Sequence, residues 1–92
     1  MPLAAGFTRY RGRTLSGLEA SEFRRLERRL RRYVDLRRPI GAMQVLQEIK
    51  NFAGDHPEYQ QIFEDVRREY AERWAHAFGK SWKDDFLAIR PG

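Results

Sequence analysis

Three stretches of this chain carry apolar residues at every third or fourth position, and each stretch ends at a proline or a glycine. This spacing places the apolar side chains on one side of a helix, so it predicts three amphipathic helices. No alternation of apolar and polar residues is long enough to predict a strand. The 92 residues suffice for one hydrophobic core. The sequence therefore predicts an all-α fold, a small antiparallel three-helix bundle.

Capping residues and helix-breaking residues give the expected limits of the first two helices. Ser16 precedes Glu19 by three positions, which is the spacing of a capping box. Pro39 cannot continue a helix but fits the first turn of a new one. We therefore expect the first helix at 16–37 and the second at 40–53.

The same logic places two further helices in the second half of the chain. Asp55 is a good N-cap, and Gly79 can adopt the left-handed conformation that ends many helices, so the third helix is expected at 56–78. A short fourth helix is expected after Ser81, as its N-cap, and before Pro91. This C-terminal helix is predicted to close one side of the bundle.

The segment before the first helix is basic and rich in helix breakers. Residues 1–15 contain no acidic side chain, and Pro2, Gly6 and Gly12 discourage a continuous helix. The sequence thus predicts a flexible basic arm at 1–15 and one helical domain at 16–90. It predicts neither a secretory signal nor a membrane span, because no apolar run has the needed length. Since cysteine is absent, we expect a cytoplasmic protein in a reducing compartment.

Positive charge is concentrated in the first half of the chain. The formal net charge is +5, and it divides into +7 for residues 1–50 and −2 for residues 51–92. Arginine supplies 15 of the 18 basic residues. Arginine is suited to binding phosphate and carboxylate groups, but a GC-rich genome also favours arginine codons. The asymmetry between the two halves does not follow from codon usage, and it predicts one face that attracts polyanions.

Six arginines of the first helix form a ridge opposite its apolar stripe. At about 100° per residue, the apolar residues centre near roughly 320° and these arginines near about 155°. We call them the Arg ridge: Arg24, Arg25, Arg28, Arg29, Arg31 and Arg32. One interpretation is a solvated outer face of a bundle helix, in which arginine is a good helix former. The other is a contact with several phosphates of a nucleic acid.

The leading functional hypothesis is non-enzymatic binding of DNA or RNA, as a subunit or regulator of a nucleoprotein complex. Arm residues would extend the contact, with guanidinium groups on the backbone and aromatic rings on unpaired bases. They are Arg9, Arg11, Arg13, Phe7 and Tyr10. The chain contains no zinc-finger ligand set or RNA-binding sheet motif, and no Asn or Gln interrupts the Arg ridge. Binding is therefore expected to follow the backbone with little sequence discrimination.

Residues that would support catalysis or metal binding are missing from the pattern. The chain lacks cysteine and a glycine-rich phosphate loop, and its few hydroxyl residues lie at caps or in loops. Glu72 and His76 are four positions apart and predict a surface pair, because no third ligand accompanies them. We therefore expect no enzyme activity, no cofactor and no metal.

A protein partner is the alternative hypothesis. Twelve aromatic residues are many for 92 positions, and five lie along the third helix. They are Tyr59, Phe63, Tyr70, Trp74 and Phe78. These side chains either fill the core or form a patch for a partner helix or a homodimer. In the second case the protein would be an adaptor or inhibitor of the kind that phages and mobile elements encode, and the Arg ridge could dock on an acidic partner.

Overall fold

A computed structural model of the chain describes residues 6–89, except for the side chain of Trp82. This part of the chain is mostly helical and begins with a small two-stranded sheet. The elements are β1 Phe7–Tyr10, β2 Arg13–Ser16, α1 Gly17–Asp35, α2 Pro39–Ala53, α3 Pro57–Phe78 and α4 Lys80–Ala88. The mostly helical fold is confirmed, whereas the prediction of an all-α fold without strands is wrong.

The N-terminal segment forms a β-hairpin rather than a flexible arm. Strands β1 and β2 are antiparallel, and Tyr10 pairs with Arg13 across a two-residue turn. Both turn residues, Arg11 and Gly12, have positive φ angles of 48° and 77°, as tight hairpins require. The expected arm is thus corrected over residues 7–15, and residues 1–5 lie outside the described residues. Each strand has four residues, which is too short for alternation to be recognised in the sequence.

Hydrogen bonds cap both ends of helix α1. The Ser16 hydroxyl accepts a hydrogen bond from the Glu19 N–H at 3.2 Å and donates one to the Glu19 carboxylate at 2.8 Å. At the other end, Arg37 adopts a φ of 56°, and the Arg38 N–H donates to the Tyr33 carbonyl at 2.9 Å. This arrangement is a Schellman motif, so α1 ends before Pro39 is reached.

Two of the expected N-caps are wrong. His56 occupies the cap position of α3 instead of Asp55, and its side chain makes no capping hydrogen bond. Its ring stacks on Tyr59 with centroids 4.0 Å apart. Helix α4 begins at Lys80, after Gly79 at the N-cap, so Ser81 lies inside the helix. The start of α3 therefore moves by one residue from the predicted bound, and the start of α4 moves by two.

One hydrophobic core joins the hairpin to the helices. Phe23 of α1 lies at its centre and contacts Tyr10 of the hairpin, Phe52 of α2 and Tyr59 of α3, at centroid distances of 5.8, 4.9 and 5.5 Å. Helix α4 covers the end of α3 by packing Phe86 against Trp74, with centroids 4.4 Å apart. Three of the five α3 aromatics are buried, and none is among the largely exposed apolar side chains of the described chain. The five aromatic side chains of α3 therefore lie in the core or pack against it.

Candidate nucleic-acid interface

The Arg ridge lies on the side of α1 that faces away from the core. Phe23, Leu26 and Leu30 are buried on the inner side of the helix. Five ridge side chains are exposed, and Arg29 is half-buried. Because α1 is a regular helix over this stretch, the alternation of core and basic residues in the sequence maps directly onto its two sides.

Carboxylates of the same molecule pair with only part of this ridge. Arg25 forms an ion pair with Glu22, three residues earlier, and Arg29 lies 3.1 Å from Glu48 of α2. Within residues 6–89, the other four ridge arginines have no carboxylate partner. They are Arg24, Arg28, Arg31 and Arg32. The two exposed pairs are weak, at about 0–1 kcal/mol each, so they can exchange for an external anion.

Two arm arginines, Arg11 and Arg13, join the hairpin to the helices. The prediction that they are free to contact phosphates is therefore corrected. Arg11 pairs with Glu27 of α1 and, at 2.8 Å, with Glu69 of α3. Arg13 lies 3.0 Å from Asp65 of α3. Burial acts to lower the pKa of Arg11, but its hydrogen bonds to Glu69, Glu27 and Tyr10 outweigh this and raise the pKa overall. Their positive charges are already matched inside the molecule.

Tyr10 is a core residue, so its predicted stacking on bases is corrected. Only 6% of Tyr10 is exposed, and its ring stacks on Phe23 at an angle of 11° between the planes. Its hydroxyl donates to Glu27 at 2.9 Å, and burial raises its pKa to about 12, against the opposing hydrogen bond from Arg11. Phe7 is 51% exposed, and Arg9 also faces solvent. Of the predicted arm contacts, these two remain available.

A groove between α1 and α3 is lined by three of the six ridge arginines. It has a volume of about 290 Å³. Its lining residues are Arg24, Glu27, Arg28, Arg31, Glu69 and Tyr70. The Arg31 Nε–H donates to the Tyr70 hydroxyl at 3.3 Å, and this hydrogen bond raises the pKa of Arg31. The sequence places Tyr70 only among the aromatic residues of the third helix, in the core or in a partner patch, because its contact with α1 spans 39 positions.

A second groove lies on the α2 side of the same ridge. It has a volume of about 360 Å³ and is lined by Arg29, Arg32, Tyr33, Leu36 and Arg38. Arg38 is not among the predicted contacts, because a basic residue at the end of a helix is also explained by a favourable interaction with the helix dipole. The two grooves lie along the two edges of the outward side of α1, so basic groups are available across the whole width of that side.

Comparison with known proteins assigns no function to this surface. No protein-family model, no curated protein and no solved structure matches the chain. Across residues 6–89, no three histidine, cysteine, aspartate or glutamate side chains are grouped as metal ligands, and no helix has the length and apolarity of a membrane span. The predicted pair of Glu72 and His76 is wrong, because Glu72 accepts a hydrogen bond from Lys83.

Proposed function

We propose that the protein binds the phosphate backbone of a nucleic acid, DNA or RNA, through the exposed side of α1, as a non-enzymatic subunit or regulator of a nucleoprotein complex. The observation that supports this most is the set of four ridge arginines without a carboxylate partner in the described chain, Arg24, Arg28, Arg31 and Arg32. Four guanidinium groups on one side of a helix repel one another, and an anionic backbone relieves that repulsion.

The length of the ridge suits a backbone rather than a single anion. From Arg24 to Arg32 the helix rises about 12 Å, at ~1.5 Å per residue, which is the extent of several phosphates. No Asn or Gln lies among the ridge residues to read base edges. Phe7 and Arg9 of the hairpin, together with Arg38, extend the surface. Little sequence discrimination is expected from such a set of contacts.

We also propose that α1, α2 and α3 form the antiparallel three-helix bundle expected from the sequence. The connections between consecutive helices are only three residues long, at 36–38 and 54–56, and short connections favour antiparallel neighbours. Such a bundle would hold the exposed side of α1 in a fixed shape. A rigid helix loses little conformational entropy when it binds.

The test is the salt dependence of oligonucleotide binding. The variant with Arg28, Arg31 and Arg32 all replaced by Gln should lower the slope of log K against log salt by roughly 2–3, since each phosphate contact contributes about 0.7–0.9. A control variant removes the same charge elsewhere, through Arg68→Gln, Lys50→Gln and Lys80→Gln. Fluorescence anisotropy at several salt concentrations gives both slopes. Equal slopes for the two variants, or no measurable binding by the parent protein, would refute the proposal.

An acidic protein partner remains the second candidate. Leu36 is 54% exposed, and it lines the second groove beside Arg29, Arg32 and Arg38. This mixture of apolar and basic groups also suits an acidic, partly apolar protein surface. That candidate predicts capture of a stoichiometric protein at moderate salt, dependent on Leu36, with no oligonucleotide binding. Copurification of nucleic acid without such a protein would count against it.

A further inference from the structure

The groove between α1 and α3 contains a hydrogen-bond donor that its own surroundings do not use. Tyr70 is 1% exposed and is one of the residues that line the groove, and its hydroxyl accepts a hydrogen bond from Arg31, which also lines it. Within the described part of the chain, no protein atom accepts the hydrogen of that hydroxyl. A phenol can both accept and donate. Its O–H is therefore available to an acceptor that enters the groove.

The acids of this groove are already occupied. Glu27 and Glu69 are its two acidic lining residues, and both accept a hydrogen bond from Arg11 at the hairpin turn. Three lining guanidinium groups together with Arg11 outweigh these two carboxylates, so the local charge is +2. The hairpin thereby keeps the groove positive although α1 and α3 each contribute a carboxylate to it.

We propose that this groove is a phosphate subsite, in which Arg31 and the Tyr70 hydroxyl donate hydrogen bonds to the oxygens of one phosphate group, while Arg24 and Arg28 contact neighbouring phosphates of the same strand. Several donors converging on one anion match a phosphate, which offers several acceptor oxygens, better than a planar carboxylate. The subsite rests on the proposed nucleic-acid function and adds a specific anchor to it. The phosphate comes from the interior of a strand or from its 5′ end.

Tyr70→Phe is the discriminating variant, because it removes only the hydroxyl and keeps the buried ring. It should weaken oligonucleotide binding roughly tenfold, since a hydrogen bond to a charged group is lost. The slope against salt should not change, because the lost donor is neutral. Tyr59→Phe is the matched control on the same helix and should bind as the parent does. Circular dichroism and thermal unfolding check that both variants fold.

Each result decides between the two proposals. If Tyr70→Phe binds like the parent while the triple-Gln variant of the Arg ridge still loses salt dependence, the subsite is refuted and the proposed function stands. If neither variant changes binding, both are refuted. Oligonucleotides of one sequence with a 5′-phosphate or a 5′-hydroxyl distinguish the source. An effect of Tyr70→Phe on both indicates an internal phosphate, and an effect on the phosphorylated strand alone indicates the terminal one.

A direct titration keeps the subsite testable should Tyr70→Phe fail to fold. Inorganic phosphate added to the parent protein should shift the NMR signal of the Arg31 Nε–H, which donates to the Tyr70 hydroxyl. Sodium chloride at matched ionic strength is the control for general screening. Equal shifts with phosphate and with chloride would overturn the subsite.

Discussion

Replacing Tyr10 by alanine distinguishes a packed hairpin from a loose arm. The Tyr10 ring is buried against Phe23, and its hydroxyl bonds to Glu27 and Arg11. Truncating a buried aromatic residue removes its transfer free energy and leaves a cavity, which together cost about 3–5 kcal/mol. A domain of this size has a total stability of roughly 5–15 kcal/mol, so the loss is a large fraction of it. A flexible arm would predict almost no change.

Urea unfolding followed by far-ultraviolet circular dichroism measures this loss. For a small protein with an m value of about 1–1.5 kcal/mol/M, the midpoint should fall by at least about 2 M. Phe7→Ala is the matched control, because Phe7 lies in the same hairpin with a ring that is 51% exposed. It should cost less than about 1 kcal/mol. Equal, small losses for the two variants would show that residues 7–16 do not pack on the helices.

Two further predictions concern pH and helix packing. Burial raises the pKa of Tyr10 from 10.0 to about 12 in the folded protein. The contribution of the neutral Tyr10 to the free energy of unfolding is therefore complete below pH 10. Up to roughly 2–3 kcal/mol of it is lost as the pH rises towards 12. Tyr10→Phe should reduce this loss in urea unfolding across that range, and an unchanged pH profile would contradict the assignment. A Cβ at Gly41 would lie 2.6 Å from the Tyr33 ring, so Gly41→Ala should destabilise the parent by about 1–3 kcal/mol. In a Tyr33→Ala background it should instead stabilise by roughly 0.5–1 kcal/mol through helix propensity, and the same sign in both backgrounds would refute the clash.

The partition of the ridge arginines shows how folding selects among residues that look equivalent in sequence. Arg25 pairs with Glu22 on its own helix, a contact whose spacing of three can be read from the chain. Arg29 pairs with Glu48, which lies 19 positions away on α2. Arg28 and Arg32 face solvent without a carboxylate partner in the described chain. Local spacing could identify the first case, but not the others.

The helices and the orientation of the ridge are determined by short-range features of the chain. Ser16 caps α1, Pro39 starts α2 and Gly54 follows its end, because backbone geometry and capping act within one turn. The apolar stripe of α1 in turn decides which side of that helix faces water. These features explain why the helix limits were predicted to within about two residues.

The hairpin and the interior of the groove depend on contacts between distant parts of the chain. Tyr10 is buried because its ring packs against the ring of Phe23 in α1. The charge of Arg11 is neutralised because Glu27 of α1 and Glu69 of α3 both lie next to the hairpin turn. Strands of four residues place too few side chains on the inner face for a recognisable pattern. Desolvation and charge pairing depend on which surfaces meet in space. For that reason a segment that is basic in sequence became part of the core, and only some of its charges remain exposed.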